Sequence, residues 1–140
     1  MLLAFIVGSV DPKLLGSAKG VKEYRPGDFE ILYTYLSLLS EIILLPNTVS
    51  EVSNLLDRYT GYRRQNCMEL LAFLTSSGSE KYIASDIAAQ QPEYIALGIT
   101  DSAILFALEK DTYLLTSDVD LYIAALCRSR EAQRFDDLRD

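Results

Sequence analysis

Three acidic residues stand where chemistry could use them. Thr100 and Asp101 precede an apolar-periodic stretch, residues 103–108, and read as the capping residues that open a helix. Asp118 follows Ser117 directly after Tyr113–Thr116, a short apolar run that reads as a buried strand. Glu51 follows a second apolar run, residues 42–45, which Pro46 stops. One carboxylate therefore sits at a helix N-terminus, and another sits just past the carboxyl end of a strand. In open α/β sheets ligands bind at that edge. Carboxylates delivered there could hold a divalent cation. Glu51 has a simpler reading beside this one: with Thr48 it forms a Thr-x-x-Glu capping box and does no more than start its own helix. Asn54 lies one turn further on.

Composition narrows the rest. The chain has 140 residues, enough for about one domain, and 49% of them are hydrophobic, enough for a real core. Thirteen basic and 20 acidic side chains leave a net charge of −7, with a pI near 4.6. That excludes a simple electrostatic nucleic-acid binder, which needs clustered Lys and Arg. It leaves room for an enzyme that meets nucleic acid through a bound cation. The absence of histidine removes Ser-His-Asp and Cys-His triads, His-ligated zinc and histidine general bases together. Cys67 and Cys127 make no CxxC; a disulfide between them is one reading, and two free thiols in a reducing cytoplasm is the favoured one.

The elements that must position these acids alternate between helix and strand. The opening MLLAFIVGSV lacks a positively charged start, and it is shorter than the roughly 20 residues a membrane span needs. It reads as core, with strand and helix both open at this length. Asp11-Pro12 signals a short helical turn through Leu15. Residues 16–26 form a polar loop, with Lys19, Lys22 and Arg25 either solvated or forming a phosphate-steering patch. A helix is expected from Asp28 to about Ser40, with Phe29, Leu32, Tyr33, Leu36 and Leu39 as its apolar stripe. Residues 42–45 read as a buried strand, and a helix capped by Thr48 buries Val49, Val52, Leu55 and Leu56. Residues 59–64 read as a polar turn before a helix near 65–75. A short strand is expected at 82–84, then a weak helix capped by Asp86 and a turn from Pro92 to Gly98. Beyond Asp118 a short helix covers 121–126, and the charged tail has Phe135 as its packing anchor. Short strands, apolar on both faces and alternating with helices, imply a mainly parallel sheet covered on both sides.

Taken together, PNTVSEVSNLL, LGITDSAILFAL and LLTSDVDL resemble the PIN-domain ribonucleases, a fold of many toxin–antitoxin nucleases. The resemblance spans residues 2–135 and implies a single three-layer α/β/α domain over 1–140 with a short, mainly parallel sheet. It also implies that Glu51, Asp101 and Asp118 share a metal site, with Asp120 as an accessory acid or a solvated helix-start residue. A carboxylate-only set suits Mg²⁺ or Mn²⁺, which take hard oxygen ligands and keep several waters. Thr100 and Thr116 would orient the ligands from behind.

The family's first strand ends in Asp-x-Asn, and its aspartate is the first metal ligand. LLAFIVG resembles the start of the helix that comes after that motif, so the expectation is an N-terminally incomplete domain, with Asp11 the only nearby substitute. In the other register residues 2–7 are the first strand, and Gly8 then stands where the aspartate belongs. The implied activity is metal-assisted cleavage of RNA phosphodiester bonds. An antitoxin protein and a second copy of the chain are its implied partners, and no membrane is involved. The alternative is a PIN-like scaffold without catalysis that serves protein association. A receiver or phosphatase of flavodoxin type needs early paired acids and a lysine after a suitable strand, and neither is present.

Overall fold

A computed structural model describes residues 1–139. The protein is mixed α/β, about 59% helix and 9% strand, with short parallel sheets. The chain divides into two compact units, one from Met1 to Glu80 and a second beginning at Lys81. Among the described residues no helix is long and apolar enough to cross a membrane.

In the first unit the apolar opening run is a helix, α1 (Leu2–Val10), which resolves the strand-or-helix choice. A helix that is apolar all round belongs inside a core, and Ala4, Ile6 and Val7 are fully buried. Asp11 ends α1 and caps a 3-10 turn, Pro12–Leu14, its Oδ1 accepting from the Lys13 N–H at 3.1 Å. The segment 16–26 is more than a polar loop, because Val21 and Tyr24 within it are buried. Helix α2 (Asp28–Ser37) starts as expected and stops short of Ser40. Leu32 faces the core, whereas Tyr33 and Leu39 of the expected stripe are exposed or half-exposed.

Strand β1 (Ile43–Leu44) is followed at once by α3 (Pro46–Leu56). This corrects the capping box. The helix begins two residues before Thr48, with Pro46 at its first position, where a missing N–H costs nothing. Leu45 takes the cap position without a side-chain bond, so Thr48 and Glu51 lie inside the helix. Helix α4 (Gly61–Ser77) also starts earlier than expected. Tyr62, Arg63 and Arg64 read as turn because they are polar, yet they are acceptable helix formers on a wet face. Arg63 Nη2 pairs with Asp11 at 3.3 Å and Arg64 Nη2 with Asp57 at 2.7 Å. Strand β2 (Ser79–Glu80) pairs parallel with β1, Ile43 opposite Ser79 and Leu44 opposite Glu80. The strand expected at 82–84 is therefore corrected. Tyr82 is 77% exposed and outside any strand. Gly78 ends α4 just before β2, with the Ile42 carbonyl 3.2 Å from where a Cβ would stand, and the Ser79 N–H donates to that carbonyl at 3.2 Å.

The second unit opens with α5 (Ser85–Ala89), preceded by Ala84 in the cap position rather than by Asp86. Helix α6 (Tyr94–Ala107) replaces the turn expected from Pro92 to Gly98. It is broken by Gly98 at φ 86°, ψ −178°, a conformation only glycine takes readily. Thr100 and Asp101 thus lie in the first turn of the part that resumes, one step inside the cap positions expected for them. Strand β3 (Tyr113–Thr116) has the expected bounds, and α7 (Val119–Cys127) follows. The charged tail holds a strand that its sequence does not announce, β4 (Glu131–Arg134), parallel to β3 from Tyr113–Glu131 through Thr116–Arg134. A 3-10 turn, Phe135–Leu138, then buries Phe135 completely, as its anchor role requires. Instead of one sheet covered on both sides, the described strands form two two-stranded parallel sheets, one in each unit.

Leu105 of α6 packs with Leu121 and Ala125 of α7, and Leu114 of β3 and Ala132 of β4 lie against them. Arg128 closes the back of this unit as a fork on Glu93, with Nε 2.8 Å from Oε1 and Nη2 2.5 Å from Oε2. Its Nη2 also reaches Gln91 Oε1 at 2.9 Å.

Candidate functional site

The β3–α7–β4 crossover decides where the second unit could hold a ligand. Because β4 runs parallel to β3, α7 must run back against both strands. The carbonyl of Leu108, at the end of α6, accepts from Arg130 Nε at 3.0 Å just ahead of the start of β4, so the end of α6 lies by the amino end of the strands and its resumed part runs against them. The N-terminal ends of α7 and of the resumed part of α6 therefore both lie toward the carboxyl end of β3. Asp118 is the cap residue of α7, and Asp101 lies one turn before Leu105, the α6 residue that packs on Leu121.

Asp118 has a defined role in the fold. Its Oδ1 accepts from the Leu121 N–H at 2.9 Å, satisfying one of the orphan donors of the first turn. Its own N–H donates to Thr116 Oγ1 at 3.0 Å, so the buried threonine fixes the strand-to-helix corner. The aspartate is exposed, and Oδ2 remains for a further partner. Asp120 is exposed in the same first turn. Thr100 and Asp101 are half-buried, and both are engaged in interactions.

Glu51 and Asn54 belong to the first unit, exposed on α3 past its opening turn. Asp11, the substitute considered for a first ligand, is committed twice over: Oδ1 caps the 3-10 turn and Oδ2 meets Arg63. Within each unit, among the described residues, no three His, Cys, Asp or Glu side chains gather as a group able to hold a metal ion. The structure thus brings Asp101 and Asp118 to one edge of one unit and places Glu51 in the other.

Two further residues border the carboxyl edge of β3 and β4. Ser102 is fully buried next to Asp101, and Arg134 ends β4 opposite Thr116. Ser102 Oγ and Arg134 Nε are both buried with no hydrogen-bond partner. Sequence patterns pass over them because Glu-Ala-Gln-Arg carries no apolar alternation, and a serine inside an apolar helix draws no attention. Electrostatics elsewhere in the unit are structural: Arg128 holds the Glu93 carboxyl below its usual range, and Lys81 does the same for Glu109.

No family model, curated protein or solved structure matches the chain.

Proposed function

We propose that this protein is a divalent-cation-dependent endoribonuclease of PIN type, a three-layer α/β/α fold in which Asp101 and Asp118 hold the cation. The observation that carries this reading is Asp118 capping α7 and Asp101 in the resumed first turn of α6, two helices that pack on each other beside one parallel sheet. That is where an α/β fold presents ligands. The donor chemistry fits a hard cation: carboxylate oxygens, with Asp118 Oδ2 not used by the cap. Glu51 is the third acid that the resemblance implies. Bound Mg²⁺ or Mn²⁺ would supply a water of lowered pKa and offset charge on the phosphoryl oxygens. Thr116 keeps Asp118 in place through its backbone N–H, and the cap bond to Leu121 fixes the carboxylate's direction. A cytoplasmic location and an antitoxin partner belong to the same reading.

Asp101→Asn is expected to lower Mn²⁺-dependent RNA cleavage by at least about 10²-fold, the scale of losing one preorganised electrostatic group. Its circular dichroism should match wild type. Unchanged cleavage in that variant would overturn the proposal.

A second reading has its own support. Helix α7 leaves Val119, Ile123 and Leu126 about half exposed at helical spacing, and Ile95 of α6 is 91% exposed. Such a stripe suits a non-catalytic PIN-like module that binds another protein. Association without any metal-dependent cleavage would favour it.

A further inference from the structure

We propose that Arg134 and Ser102 form a phosphate-binding subsite beside Asp118, in which the Arg134 guanidinium takes a non-bridging oxygen of the RNA backbone. The assignment rests on the ribonuclease reading for the identity of the ligand, and on the second unit alone for its geometry.

Strand alternation fixes the direction of the key side chains. Leu114 and Ala132 are a register pair, and both lie against the Leu105–Leu121–Ala125 cluster. Side chains two residues apart on a strand share a face. Thr116 and Arg134, the next pair on that face, therefore point into the same layer, one step closer to the carboxyl edge. Ser102 and Asp101 precede Leu105 by about one helical turn, and Asp118 precedes Leu121 by three residues. The apolar layer ends there and a polar one begins.

That polar layer is incompletely paired. A buried N–H or hydroxyl without a partner costs about 1–3 kcal/mol, and native proteins leave few of them. Two occur in this unit, Arg134 Nε and Ser102 Oγ, each on an element that borders the polar layer. Among the described residues the Arg134 guanidinium is otherwise held by a long 3.4 Å contact from Nη2 to the exposed Asp136. A guanidinium with a buried, unused Nε–H is shaped for an oxyanion, which it can grip through two parallel N–H groups. Ser102 can donate to the same oxygens. An acidic chain of net charge −7 needs such a fixed cation to seat a phosphate near its carboxylates.

The test uses the full chain in EDTA, with inorganic phosphate as probe, reading the Arg134 Nε–H resonance by NMR. A saturable shift is expected in the wild type and in Asp118→Asn. Phosphate binding should be weaker in Arg134→Lys and lost in Arg134→Gln. Ser102→Ala should bind phosphate less tightly yet melt at a higher temperature, because it deletes an unsatisfied buried hydroxyl. A silent Arg134 resonance, or equal phosphate binding by Arg134→Gln, overturns the subsite. So does a lower melting temperature for Ser102→Ala, which would mean the hydroxyl is already paired. Mn²⁺-dependent cleavage measured in parallel separates the two claims. Cleavage with a silent Arg134 leaves the nuclease standing without this subsite. Phosphate binding without cleavage leaves an anion site and removes the nuclease.

Discussion

At Asp118 one side chain is asked to do two things, and substitution can separate them. As cap it needs an oxygen acceptor for the Leu121 N–H; as metal ligand it needs a charge. Asn keeps the first and loses the second, whereas Ala loses both. Asp118→Ala should therefore destabilise the protein by about 1 kcal/mol, the usual worth of a cap. Asp118→Asn should melt close to wild type while losing the same metal-dependent activity. Thermal melts of the two variants check this, and equal destabilisation would mean that charge, not capping, holds the corner. Sequence alone made Asp118 visible, because an acid after an apolar run is a strong local signal. It could not show Arg134, whose meaning depends on Ala132 two residues earlier lying against a cluster built from α6 and α7. The cysteines show the same division. Burial leaves Cys67 an inert thiol with its pKa pushed up, while Cys127 is exposed at the end of α7.

Helices in this chain depend on glycines at two places for different reasons. Gly98 breaks α6 by its backbone alone: a Cβ there would touch nothing within 4 Å, but φ of 86° excludes ordinary residues. Gly98→Ala should cost about 1–3 kcal/mol in backbone strain. If α6 straightens to relieve it, Asp101 turns relative to Asp118 and cleavage falls with stability. Gly8 acts through space instead. A Cβ at Gly8 would lie 2.8 Å from Phe29 Cδ2 and 3.1 Å from Phe29 Cβ, so the whole ring stem would have to move. Gly8→Ala should destabilise by about 1–3 kcal/mol, against the roughly 1 kcal/mol that alanine normally adds to a helix. Gly27→Ala is the control, at a φ of −69° with open space around it, and should be neutral or slightly stabilising. Denaturant midpoints of the three variants test the ordering.

At the scale of the whole molecule one perturbed acid that bears on stability is Glu93, held ionised chiefly by its hydrogen bonds from Arg128. Its folded pKa lies below its unfolded one, so the stability it contributes is fully present above the unfolded value of about 4.3. That contribution is lost as pH falls through the lower folded value. Wild type should therefore lose more stability than Glu93→Gln between about pH 5 and 3. Parallel melts across that window test it, and identical pH slopes would show that the fork contributes nothing. The fork also explains why the tail is hard to read from its residues. Its arginines look like solvated charge in sequence, yet Arg128 reaches back to Glu93 and Gln91, and Arg130 Nε donates to the Leu108 carbonyl at 3.0 Å.

Local signals were enough to determine that helices alternate with short strands, that Tyr113–Thr116 is a strand, and that Asp118 caps the helix after it. They suffice there because caps, breakers and apolar runs act within a few residues. Only the tertiary structure decided that α1 is a helix, that β4 exists, that Thr48 is not a cap, and that Thr116 faces Arg134. Apart from Thr48, displaced as a cap by its neighbour Pro46, each depends on a partner distant in the chain, since a strand as polar as β4 becomes one only when β3 offers it hydrogen bonds. A buried arginine nitrogen becomes conspicuous only once everything around it has been placed.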